Sequence, residues 1–143
     1  MGWDIRKGKK FLPSSLIEDK DKISLLEWQQ YVDSDPELMW AEESPIAESF
    51  KKAGHEWIKK ENYRHQAYYD FNVKKNWPGL RFSYFLGTIS VDTERQTLKR
   101  VEKMWEVTKY FNAYLFKNGI RFTEKKLEKL REKYTKKIKE KET

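Results

Sequence analysis

The chain has 143 residues, enough for one domain with a real core, and carries 30 Lys/Arg against 23 Asp/Glu for a net charge of +7. Cysteine is absent, which excludes disulfides, thiolate nucleophiles and thiolate metal sites. No apolar run approaches the roughly 18 residues of a membrane span, and the opening "MGWDIRKGKKF" lacks a signal-peptide core, so a cytosolic protein without membrane contact is expected.

In chain order, "WDIRKGKKF" predicts a short first strand with Trp3 and Ile5 on one face, followed by a polar connection. "ISLLEWQQYV" then predicts a helix over 24–34. Ser24 is its N-cap, Glu27 at N3 completes a capping box, and Ile23 with Trp28 forms a hydrophobic staple. Leu25, Trp28 and Val32 share its apolar face, and Asp35-Pro36 ends it. Residues 38–65 carry weaker signals: Ser44-Pro45 could open a short helix, and His55 to Tyr63 reads as strand or loop. Two strands are predicted next, at 67–73 and 80–91, joined by a turn in "KKNWPG" and with a bulge at Gly87. Alternation places Ala67, Tyr69, Phe71 and Val73 on one face of the first, with Tyr68, Asp70 and Asn72 on the other. Thr93 and Gln96 read as a second capping box opening a helix over 94–111, with Leu98, Val101, Trp105 and Thr108 inward and Met104 and Phe111 widening that face. Asn118-Gly119 is a type I′ turn signal for a hairpin of 113–116 with 120–122. Thr123 caps a final helix whose stripe is Leu127, Leu130, Tyr134 and Ile138.

These elements give an α+β fold: an antiparallel sheet with two main helices on one face, an edge hairpin and a C-terminal basic helix. Residues 1–122 form a single α+β domain and 123–143 a charged helix. No cofactor, metal or catalytic motif is expected. His55 and His65 lie ten apart without ligand spacing, and the six glycines form no phosphate loop.

The charge is unevenly placed. Residues 121–143 hold ten basic and five acidic side chains, whereas 27–48 hold seven carboxylates (Glu27, Asp33, Asp35, Glu37, Glu42, Glu43, Glu48) and no Lys or Arg. A run of one sign suits docking of an oppositely charged protein, because complementary fields speed encounter and exclude wrong partners. Trp40 within that run reads as an interface anchor. The candidate partner-binding residues are therefore Asp33, Asp35, Glu37, Trp40, Glu42 and Glu43. The alternative is a nucleic-acid-binding module using Lys125, Lys129, Lys133 and Lys137 with Trp77.

Three phrases, "MGWDI", "ISLLEWQQYVDSDPEL" and "FNAYLFKNGIRF", resemble a group of small bacterial proteins, some of which are similar to immunity proteins of polymorphic toxin systems. The resemblance covers about a quarter of the chain. It implies an opening strand, a Trp-containing helix followed by Asp-Pro, a central antiparallel sheet, a helix and a terminal hairpin. The basic helix after Thr123 is an addition to that pattern. It also implies a non-enzymatic partner-binding role; joined to the seven-carboxylate run and the absence of catalytic motifs, the expected function is binding and occluding a cognate toxin domain, a basic one.

Overall fold

The computed structural model describes residues 2–52 and 65–142. Its strands are β1 Trp3–Arg6, β2 Leu38–Trp40, β3 Gln66–Asn72, β4 Trp77–Phe85, β5 Thr88–Thr93, β6 Tyr114–Lys117 and β7 Ile120–Phe122. The helices are α1 Leu25–Ser34, α2 Pro45–Lys52, α3 Leu98–Tyr110 and α4 Glu124–Glu142, with 3-10 turns at Ser14–Leu16, Asp19–Asp21 and Ala41–Glu43. The strands make one antiparallel sheet in the order β2-β3-β4-β5-β1-β6-β7, an α+β architecture.

One face of the sheet carries the core. Alternate positions across the strands (Trp3, Ile5, Ala67, Tyr69, Leu80, Phe82, Ile89, Val91 and Leu115) are buried and cluster with Trp28 and Val32 of α1 and Val101, Met104 and Val107 of α3. Trp28 is the hub. Its ring lies 6.1 Å from Phe82, 6.3 Å from Trp40 and 6.4 Å from Phe111, and its Nε1 donates to the His65 carbonyl at 3.0 Å. Leu127 brings α4 into this same core.

α1 starts as its sequence dictates. Ser24 Oγ accepts from Glu27 N–H at 3.0 Å, and Glu27 Oε2 accepts from Ser24 N–H at 2.9 Å. The hairpin turn at Asn118-Gly119 also forms, with φ of 51° and 80°, the left-handed values a type I′ turn needs.

Four expectations require correction. The segment 80–91 is a hairpin rather than one bulged strand: Phe85 pairs with Thr88 across a Leu86-Gly87 turn with φ of 47° and 85°. The β3–β4 turn lies at 73–76, so Pro78 and Gly79 belong to β4 and are buried there. Asp70 has φ of 55°, and this left-handed residue breaks the alternation of β3. Phe71 consequently stacks on Tyr68, 6.1 Å away, instead of following Tyr69, while the Asp70 carboxylate reaches Lys99 and Arg100 of α3, each at 3.1 Å. Opposite it, a Cβ on Gly79 would lie 2.8 Å from the Arg100 guanidinium, so only glycine leaves room for that side chain. Finally, α3 begins at Leu98 with Thr97 as N-cap. Thr93 Oγ1 is spent on the Gly79 and Arg95 carbonyls. β2 was not anticipated, and α2 does begin at Pro45. The reading of His55 to Tyr63 lies outside the described residues.

Candidate functional site

The carboxylates of the acidic segment separate into three groups. Asp33, at the exposed end of α1, accepts from Trp40 Nε1 at 2.9 Å. Trp40 is 5% exposed and edge-on to Trp28, so the side chain expected to anchor a partner belongs to the interior. Glu42 and Glu43 sit on the 3-10 turn after β2, Glu43 exposed and Glu42 half-buried.

The third group forms where the chain leaves α1. Asp35 is the C-cap residue, and its backbone is extended before Pro36. That geometry turns Asp35 and Glu37 toward α3, where Lys103 meets them. Lys103 Nζ lies 2.7 Å from Asp35 Oδ2, 2.8 Å from Glu37 Oε1 and 2.8 Å from Glu106 Oε2. Its side chain is 2% exposed, whereas Glu37 and Glu106 are 57% and 59% exposed. Tyr31 Oη donates to the same Asp35 oxygen at 2.8 Å, and Glu37 N–H to the other at 2.9 Å.

The electrostatics follow from this packing. Burial alone would raise the Asp35 carboxyl, but hydrogen bonds from Lys103, the Glu37 backbone and Tyr31 outweigh it and hold Asp35 below the ordinary carboxylate value. Burial likewise opposes charge on Lys103, and its three carboxylate partners overcome it, raising the ammonium above its usual value. Burial, then the bond to Asp35, raise the Tyr31 phenol. Counted formally, Asp35, Glu37 and Glu106 around Lys103 carry an excess of two negative charges. Oxygens of Asp35, Glu37 and Glu106 lie within 4.8 Å of one another, a spacing that could ligate a divalent cation. Lys103 fills that role here.

The cluster borders an open groove of about 640 Å³ between the start of β2, α3 and α4. Tyr69, Leu98 and Trp105 supply its apolar wall, and Glu102 with Arg131 spans it from α3 to α4. Of the six residues anticipated from sequence, the structure thus brings Asp35 and Glu37 together with Lys103 and Glu106, which were not anticipated. The available signal was faint: Lys103 lies one turn before the buried Val107, a place where a lysine must find acidic company.

No protein-family model, curated protein or solved structure matches the chain.

Proposed function

We propose that the protein is a non-enzymatic, cytosolic immunity-type protein that binds a basic toxin domain and occludes it. The observation that carries this reading is the excess of carboxylate over ammonium at Lys103, in a groove whose other cations, Lys99 and Arg131, are paired with Asp70 and Glu102. Glu37 and Glu106 share one ammonium with Asp35 and still face solvent beside an apolar wall. A Lys or Arg side chain of the partner inserted between them offsets one of the two excess charges, and its stem packs on Trp105 and Leu98. Glu42 and Glu43, on the turn after β2, add to the acidic field that steers encounter. The resemblance in the opening strand, the Trp-containing helix and the hairpin supports the same role.

Co-expression with a toxin encoded beside this gene should restore growth. Glu37→Gln with Glu106→Gln should weaken toxin binding at least about tenfold, since losing one charge-assisted bond to a desolvated cation costs roughly 1.5–3 kcal/mol. The near-UV circular dichroism of that double variant should match the parent. Full neutralisation by the variant, or no rescue by the parent, would sink the proposal.

One observation favours a second reading. Lys125, Lys129, Lys133 and Lys137 are all exposed at four-residue spacing on α4, and Trp77 is exposed on β4. Such a row could follow a phosphate backbone. Retardation of DNA or RNA that falls steeply with salt would favour it, and no retardation at low salt would remove it.

A further inference from the structure

Arg6 is the most deeply buried arginine among the described residues, at 8% exposure, and the Lys103 cluster plays no part in its surroundings. It ends β1 on the sheet face away from the core, beside Tyr114. The chain then turns back over it. Phe11 covers the guanidinium at 4.0 Å and packs on Phe116 at 5.4 Å, while Arg6 Nη1 donates to the Leu12 carbonyl. Nε has no hydrogen-bond partner among the described residues. Asp4, the nearest anion on the strand, instead accepts a bond from Ser90 Oγ at 3.3 Å. Burial pulls the guanidinium below its ordinary value, with Asp4 opposing only through space. Nε is itself sealed from solvent, but Arg6 makes no ion pair among the described residues, and a buried cation left without one favours an anion at its accessible edge.

Arg6 also lines a cavity of about 140 Å³. The other walls are Gly8, Leu12, Ile17 and Asp21, with the exposed Lys9 and Lys10 alongside. A cavity of about 150 Å³ suffices for a six-atom ring such as benzene. The planar fork of a guanidinium fits a carboxylate. The lysines add positive charge, whereas Leu12 and Ile17 present hydrocarbon. A multiply charged, strongly hydrated anion gains nothing from such a wall, and Asp21 repels it more strongly than it repels a monoanion.

We propose that this cavity binds a small alkyl carboxylate, its head on the Arg6 guanidinium and its apolar end against Leu12 and Ile17. The dissociation constant should be on the order of 1 mM, as suits a ligand of about six heavy atoms.

The test uses the full chain labelled with ¹⁵N and three probes: butyrate, butyramide and inorganic phosphate. Butyrate should shift the Arg6 Nε–H and the Gly8 and Ile17 amide signals saturably. Butyramide should leave them in place, and phosphate should bind at least tenfold more weakly. Arg6→Lys should weaken butyrate at least tenfold. Ile17→Phe, which fills the cavity and keeps the charge, should abolish binding and decides the matter if Arg6→Lys does not fold. Non-saturable shifts, equal response to butyramide, tighter binding of phosphate, or unchanged binding by Ile17→Phe would each overturn the assignment.

Discussion

Replacing Lys103 with Met would leave the carboxylate of Asp35 buried with no counter-charge, a change that typically costs about 3–5 kcal/mol. The pH dependence separates this cause from a packing defect. The folded value of Asp35 lies below its unfolded value, so its stabilisation is complete above the unfolded value of about 3.9 and is lost as pH falls through the folded value. Urea unfolding of the parent should show stability falling below about pH 4. In Lys103→Met the Lys103 bond and charge are gone, while the Glu37 N–H and Tyr31 Oη still oppose burial, so the acid loss should shrink. An unchanged acid slope would show that Lys103 does not set the state of Asp35. At this scale the sequence is least transparent. Lys103 and Asp35 lie 68 residues apart, and a local pattern carries no information about a partner at that distance. Asp70 is similar: its left-handed backbone is held by Lys99 and Arg100 from α3, so nothing within β3 announces the break in alternation.

Elements whose ends are fixed by short-range chemistry were legible. The capping box of α1 and the Asn118-Gly119 turn need only residues within three positions of one another. Thr93 misleads because its hydroxyl has two competing acceptors in the neighbouring strand and loop, leaving Thr97 to cap α3. Leu86 gave no turn signal, since leucine rarely adopts positive φ, yet it does so at 47° and is exposed. Leu86→Asn should therefore raise stability by about 1 kcal/mol, the cost of the left-handed conformation that asparagine tolerates. A lower urea midpoint would mean that Leu86 holds contacts worth more than that. On α3 the buried face runs through Val101, Met104, Val107 and Phe111, while Trp105 is half-buried at the shoulder against Phe122. Met104→Ala should cost about 2–5 kcal/mol and Trp105→Ala distinctly less than the roughly 3–5 kcal/mol of a fully buried tryptophan. The reverse order in denaturant titration would rotate the helix.

For the molecule as a whole, α4 is the element whose weight changes most. A loosely docked tail would expose its apolar stripe, but Leu127 is fully buried in the main core, with Leu130 packed against it and Ile138 exposed. Deleting 123–143 removes nine basic and five acidic residues, so the net charge falls from +7 to +3. The truncated chain should lose about 2–5 kcal/mol, as for a vacated leucine site, yet keep the sheet, α1 and α3. On the proposed reading, partner binding through Glu37 and Glu106 should persist, and any nucleic-acid binding should vanish. A shortened chain that melts like the parent would show that Leu127 contributes nothing. The strand order has a consequence in time. β1 lies between β5 and β6, and Asp4 waits for Ser90, which is 86 residues downstream. At roughly 5–20 residues per second of synthesis, that interval is on the order of 4–17 s. During translation the first strand therefore emerges with both edges open, exposing Trp3 and Ile5 to the ribosome surface and its chaperones. The β3–β4 pair, whose strands are joined by a short turn, can close while the first strand is still unpartnered.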